Sequence, residues 1–367
     1  MKKFYINKNL IFVALLVVIQ LFREEISEKI YNLLKHDFTK YECNFDFLTC
    51  ISKLFLFIPY LLNKKYLKKK QFKNIIISYK FSNFKIVKKI NYFDNIYIKF
   101  QICFFIFSSS FLNFFTMNIY QSPDFFFVPK FSKFNYDEYY PIFLFILYQI
   151  ISNTKFYNFH YISIFILLFV LIIKNIFNIY EYKEEFINNL KVNLSLIILY
   201  ALFSLDINII KYLNVFYYMD MYLIYFISEG ILYFIYLCIY QSFLIGNFFK
   251  YLDFSSSNLL YYFIFIVIYF LNDYIFIIVL FLFNPIYYGF AILMRISISN
   301  FYKLFIKKNS NFYNISIIFI SLFDLISVLI YSELIQLNCY NLSKNTMNNM
   351  IIRAENELEI NNLSTIN

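Results

Sequence analysis

Tryptophan is missing from this chain, and its 367 residues hold only three glycines, five prolines and two histidines. Each shortage closes off a kind of chemistry. Glycines this few and this scattered form no phosphate-cradling loop. His36 and His160 stand far apart, and Cys43, Cys50, Cys103, Cys238 and Cys339 make no C-x-x-C pair, so neither a zinc site nor a disulfide framework is indicated. H-E-x-x-H, G-x-S-x-G and a paired cysteine and histidine nucleophile are likewise absent. No cofactor is expected, and no constellation supports an enzyme.

Charge is the other scarcity. Charged residues make up 15% of the chain, against 61% hydrophobic and 24% aromatic, whereas a soluble domain is roughly 45 to 50% apolar. The expectation is an all-α, polytopic membrane protein. The excess of Ile, Phe, Tyr, Asn and Lys over Ala, Gly and Trp reads as codon drift in an AT-rich genome. Single Asn and Lys residues therefore receive little weight, and rare residue types receive more.

A net charge of +10 would suit a nucleic-acid partner, but much of the excess lies between Lys64 and Lys89, where ten lysines occur with no Asp or Glu. Beside apolar spans such a block is a positive-inside signal and a contact for anionic lipid headgroups. The bilayer is the expected partner, and nucleic acid is not.

The chain is organised around Tyr217 to Leu244, a long apolar and aromatic run broken near its middle by Ser228-Glu229-Gly230. About 20 apolar residues cross a bilayer core, so Glu229 falls deep in the membrane. A carboxylate there costs roughly 2.5 to 3.5 kcal/mol on insertion scales and marks a pathway or a bundle interior. Gly230 beside it permits close approach of a neighbouring helix or a ligand.

In chain order, the expected spans are span 1 at Asn9 to Phe22, span 2 at Phe47 to Leu62, span 3 at Ile96 to Phe115 and span 4 at Tyr139 to Ser152. Span 5 follows at Tyr161 to Ile179, span 6 at Val192 to Ile210 and span 7 at the organising stretch. Span 8 runs from Asn258 to Leu271, span 9 from Pro285 to Phe305 and span 10 from Ile315 to Ile335. The basic start and apolar core of span 1 resemble a signal peptide, but no small-residue cleavage site precedes Arg23, so it is read as uncleaved. Arg23 to Asp46 reads as an interfacial helix, and Asp206 is expected to reach the interface. Asn272 to Phe283 is apolar enough to stay at membrane depth, which leaves the boundary after span 8 open. Residues 1–335 then form a membrane domain, and Gln336 to Asn367 a polar tail. Ten spans put both termini and the lysine block on the cytosolic side; Lys303, Lys307 and Lys308, at and beyond the end of span 9, fall on the other.

Four ionisable residues in the late spans could carry chemistry: Asp220 and Glu229 in span 7, Arg295 in span 9 and Asp324 in span 10. Glu229 and Arg295 could neutralise each other, as a structural ion pair or as part of a solute cavity. Arginine is scarce here, and its planar fork suits phosphate or carboxylate oxygens. Arg295 is therefore the expected binder of an anionic group, with Ser297 and Ser299 following it. Asp324 is either a pathway residue or packed against a hydroxyl. Asn284-Pro285 marks the start of span 9, with Gly289 allowing close packing.

Asp206-Ile-Asn-Ile-Ile-Lys-Tyr-Leu-Asn-Val215, followed by Ser228-Glu229-Gly230, resembles the drug/metabolite transporter superfamily, and within it the F-type members of solute carrier family 35. Tyr331-Ser332-Glu333-Leu334-Ile335 is similar to that family's closing motif, and Ala291-Ile-Leu-Met-Arg295 falls where the family has a segment ending in leucine-arginine. The family's glutamine-methionine-leucine-arginine-glycine lead-in to span 4 is absent; Phe134 to Tyr139 stand there, with Asp137 near the arginine position. Span 9 also lacks the family's threonine-threonine-arginine. The resemblance implies two inverted five-helix halves around a central cavity and alternating access. It also implies an endomembrane location and a small polar solute, nucleotide-sugar-like if anionic; a homodimer is compatible with it. Substrate-binding residues would be Arg295, Glu229, Gly230, Ser297 and Asp324. A non-transporting membrane scaffold is the alternative, suggested by the altered lead-in to span 4.

Overall fold

The structure, a computed structural model, describes residues 10–34, 38–66, 111, 138–152, 156–181, 197–198, 200–208, 211, 220–241, 248–307 and 312–335. Among them every regular element is helical: α1 (Leu10–Leu33), α2 (Phe38–Phe55), α3 (Phe57–Tyr66), α4 (Tyr139–Ser152), α5 (Asn158–Glu181), α6 (Asp220–Tyr236), α7 (Ser256–Leu282), α8 (Ile286–Lys307) and α9 (Phe312–Tyr331). A π turn at Leu237–Gln241 prolongs α6, and a 3-10 turn at Phe248–Tyr251 precedes α7. Three described stretches are long and apolar enough to cross a membrane: Cys43–Leu62, Asn158–Ile176 and Asn258–Leu280. Tyr139–Ile151, Phe226–Ile239 and Ser316–Tyr331 are shorter apolar helices. Span 3 apart from Phe111, most of the lysine block, part of span 6 and the tail from Gln336 lie outside the described residues.

The chain divides into two compact units, each assembled from separated stretches. The first unit comprises Met1–Leu21, Ser122–Asn208 and Ile278–Asn367, and the second Phe22–Gln121 and Ile209–Ile277.

In the second unit the expected break at Arg23 does not occur, and α1 continues to Leu33. Its charges sit where a helix tolerates them: Glu25 and Lys29, both exposed, pair one turn apart at 3.1 Å. Ile26, Ile30 and Leu34 meanwhile bury one stripe against Leu48, Tyr262, Phe265 and Tyr269. Arg23 lies 4.6 Å from the centroid of the Tyr269 ring, and the Ser27 hydroxyl donates to the Arg23 carbonyl at 2.8 Å.

Helix α2 begins well before Phe47 because its polar residues are enclosed rather than solvated. The Asn44 amide donates to the carbonyls of Lys40 and Tyr251, and its oxygen accepts from the Asp253 N–H and the Tyr262 hydroxyl. Span 2 is interrupted at Leu56. Pro59 has no N–H to give the Phe55 carbonyl, so the helix restarts as α3 with proline in its first turn.

Helix α7 is continuous over 27 residues, so Asn272 to Leu282 belongs to the same helix as span 8. It stops at Asn284-Pro285, where α8 starts as expected, with the Tyr288 N–H reaching the Pro285 carbonyl at 3.0 Å.

In the first unit α4 has both expected ends, and α5 runs a few residues past each of its own. The expectation that Asp206 reaches the interface is corrected: it is buried with Ser204 and Asn208 on residues 200–208. Asn208 donates to the Ser204 carbonyl at 2.8 Å, and to the Leu144 carbonyl of α4 at 3.4 Å. The Asn208 amide N–H groups thus find acceptors on the helix's own backbone and on α4, while its Oδ1 makes no hydrogen bond. Helix α9 ends at Tyr331, four residues early. Glu333 adopts a left-handed φ of 61° and turns the chain back, so that the Ile335 N–H reaches the Leu329 carbonyl at 3.0 Å.

Helices α5 and α9 are joined by a two-way serine clasp. Ser163 Oγ donates to the Ser327 carbonyl and Ser327 Oγ to the Ser163 carbonyl, each at 2.9 Å. Such small residues bring helix backbones close, and their hydrogen bonds each contribute about 0.6 kcal/mol in a membrane protein. Ser163→Ala and Ser327→Ala are each expected to lower stability by about 0.6 to 1.7 kcal/mol. The double variant should fall short of the sum, because the two hydroxyls act as one clasp. Melting of the three proteins in one detergent checks this, and strict additivity would count against the clasp.

Candidate functional site

Helix α6 carries the organising carboxylate. Phe226, Glu229, Gly230 and Tyr233 recur at three- and four-residue spacing and so share one face, which packs on α2. Gly230 makes the approach close: a Cβ there would stand 3.0 Å from Lys53 Cβ and 3.5 Å from the Cys50 carbonyl. Cys50 Sγ donates to the Gly230 carbonyl at 3.2 Å.

Within this contact the Lys53 ammonium donates to Glu229 Oε2, and both side chains are buried. The counter-ion of Glu229 is therefore Lys53, in place of the Arg295 that the sequence suggested. Lys53 Nζ also lies 5.0 Å from the Phe226 centroid and 5.8 Å from the Tyr233 centroid, within the range of cation–π attraction. On α7, the Asn272 amide donates to Asp273 Oδ1 at 3.0 Å, and both residues are buried. Phe276, one turn on, meets Phe226 edge-on at 5.6 Å.

The first unit holds a second pair of the same kind. Glu138, immediately before α4, accepts from the Lys174 ammonium of α5, and both are buried. Glu138 Oε2 is enclosed and makes no hydrogen bond. Here too a glycine sits at a close helix contact. A Cβ on Gly289 of α8 would stand 2.9 Å from Pro141 Cα and Cβ on α4, and 3.1 Å from Leu144 Cδ1.

Arg295 and Ser297 lie on α8 and Asp324 on α9, two helices packed on each other. Arg295 is half-buried, Asp324 is buried, and the fully buried Ser297 Oγ makes no hydrogen bond. Ser321, Asp324, Ser327 and Tyr331 form a buried polar stripe along α9. Asn300 of α8 donates to Ser321 Oγ at 3.2 Å, and Asn284 donates to the Tyr331 hydroxyl at 3.0 Å. Asp220 opens α6.

The residues singled out from sequence thus fall into two groups: Glu229 and Gly230 in the second unit, Arg295, Ser297, Asp324 and Gly289 in the first. Lys53, Lys174 and Glu138 were missed, although each lysine is an isolated charge inside an apolar run, which is itself a signal. Among the described residues no group of histidine, cysteine or carboxylate side chains could hold a metal ion. No protein-family model, no curated protein and no solved structure matches this chain.

Proposed function

We propose that the chain is an integral membrane carrier of about ten spans in two five-span halves, moving a small polar metabolite by alternating access. The observation that carries this reading is the pairing of the spans. In the numbering expected from sequence, span 2 packs on span 7 (α2 on α6), span 4 on span 9 (α4 on α8) and span 5 on span 10 (α5 on α9). Each meets the span five places on, as equivalent helices do when two repeated halves close around one axis. The Lys53–Glu229 and Glu138–Lys174 pairs add support, since ionisable groups kept inside apolar bundles mark pathways.

In this reading Arg295 offers its fork to an anionic group, as on a nucleotide-sugar. Ser297 and Asp324 supply polar contacts beside it, while Gly230 and Gly289 allow the close helix packing. In this reading the lysine block keeps both termini on the cytosolic side, and the family resemblance suggests an endomembrane. One observation favours a second reading, a non-transporting scaffold. Lys53 and Glu229 neutralise each other in a contact closed by Gly230, which a static packing device also requires.

Counterflow decides between them. Proteoliposomes loaded with nucleotides, nucleotide-sugars and small organic anions are tested against labelled tracers. The expected result is uptake of one tracer, lowered about tenfold or more by Arg295→Ala in protein that still elutes as one folded species, the loss of a charged hydrogen-bond pair. Folded protein that takes up no tracer would hand the reading to the scaffold.

A further inference from the structure

We propose that the Lys53–Glu229 pair is a proton-gated anion-binding site in its own right, additional to Arg295, so that a proton and an anion are taken up together. The proposal deepens the carrier reading and rests on it. It starts from a geometry that is closed but incompletely satisfied. Lys53 is held by one carboxylate and by the faces of Phe226 and Tyr233, and ring faces attract a cation without consuming its N–H donors. One turn before Lys53, on the same face of α2, Thr49 is 7% exposed and its Oγ1 makes no hydrogen bond. Buried polar atoms are nearly always satisfied, and those that are not call for a missing partner. An oxyanion on the Lys53 ammonium would accept a hydrogen bond from the Thr49 hydroxyl.

The surrounding charges supply the gate. The groups acting on this face are Asp46 and Lys53 from α2, Glu229 from α6, Asp273 from α7 and Arg23 from α1. With all ionised, three carboxylates oppose two cations, and an incoming anion meets net negative charge. A proton delivered to Glu229 Oε2 cancels one carboxylate and opens its ion pair with Lys53. The ammonium then donates to the solute oxygen instead. No covalent bond changes: the proton stays on Glu229 while the anion is bound, and both leave together. By linkage, bound anion must favour proton uptake as strongly as the proton favours the anion. Between the pH at which the empty site gives up its proton and the higher pH at which the loaded site does, affinity falls about tenfold per pH unit.

The test uses full-length protein in weakly buffered phosphatidylcholine nanodiscs, with inorganic phosphate and uridine monophosphate as probes. Binding of either is expected to draw protons from the medium, with affinity falling as pH rises. Glu229→Gln should bind with no pH dependence and no proton uptake beyond the probe's own phosphate titration. Thr49→Val, which removes a hydroxyl without a protein partner, should fold normally, bind about tenfold more weakly and keep the pH slope. The double variant Lys53→Met/Glu229→Gln should lose the proton-linked binding. The proposal is overturned if neither probe binds, if wild type binds without taking up protons, or if Glu229→Gln keeps the wild-type slope. Counterflow separates the two readings. Transport without proton-linked binding leaves the carrier and removes the gate; proton-linked binding without transport leaves the site and removes the carrier.

Discussion

Replacing Lys53 by methionine is expected to remove most of the folded protein. Glu229 is 1% exposed and accepts from the Lys53 ammonium in a contact that Gly230 keeps tight. Methionine fills similar space but leaves the carboxylate enclosed without its cation. Taking one member from a buried pair costs roughly 3 to 5 kcal/mol, a large share of the 5 to 15 kcal/mol typical of a folded chain. The double variant Lys53→Met/Glu229→Gln removes both charges and is expected to recover most of that loss, because replacing a whole buried pair is often close to neutral. Melting temperature and the monodisperse fraction in detergent, measured on wild type, both singles and the double, give the cycle. A Lys53→Met protein as stable as wild type would show that Glu229 does not depend on this cation.

That dependence was half legible in the sequence. Glu229 stood out because acidic residues are rare inside the apolar runs, and the need for a partner followed from the cost of a charge in lipid. The partner was misassigned, because lysine was discounted as compositional drift. Lys53, inside Thr-Cys-Ile-Ser-Lys-Leu-Phe-Leu, and Lys174, inside Leu-Ile-Ile-Lys-Asn-Ile, are drowned out by the abundant lysines elsewhere in the chain only if position is ignored. A lysine between apolar residues carries the same solvation cost as a glutamate there. Sequence alone still could not say which buried acid meets which buried base, since that depends on how distant helices pack.

Element boundaries followed the same logic. Helix α4 was readable at both ends, as its apolar run is bounded by Asp137-Glu138 and by Ser152-Asn153. The Pro285 start of α8 was readable because proline acts locally. The run of α1 through Arg23-Glu24-Glu25 was not: hydropathy drops at those charges, yet they are good helix formers, with Arg23 over the Tyr269 ring and Glu25 paired with Lys29. Asp206 was misplaced for the converse reason. It lies near the end of an apolar stretch, but its helix is buried on the polar side.

The second large effect is expected at Gly289. Its neighbour there is the Cα and Cβ of Pro141, each 2.9 Å from where a Cβ would stand, and a proline backbone within a helix cannot swing aside as a long side chain can. Gly289→Ala is expected to destabilise by roughly 1 to 3 kcal/mol from overpacking, a cost that outweighs the ~1 kcal/mol alanine gains over glycine in helix propensity. Gly289→Val should lie at or beyond the upper end of that range. Gly230→Ala should be milder, since its closest contact is Lys53 Cβ at 3.0 Å and the Cys50 carbonyl stands back at 3.5 Å. Thermal melting of the three variants tests the order. A Gly289→Ala protein more stable than wild type would mean that α8 does not approach α4 this closely.

The two buried pairs also differ in how long each lysine must wait for its acid during synthesis. Lys174 follows Glu138 by 36 residues, so at a ribosomal rate of about 5 to 20 residues per second its partner is already present and the pair can close within roughly 2 to 7 seconds of Glu138 being made. Lys53 precedes Glu229 by 176 residues, an interval of roughly 9 to 35 seconds. For that time its ammonium belongs to an unfinished membrane protein and must be hydrated, held at the headgroups or shielded by insertion machinery. The second unit cannot be completed before the ribosome has passed Glu229, and a chain stalled earlier leaves this lysine exposed as a mark of incompleteness.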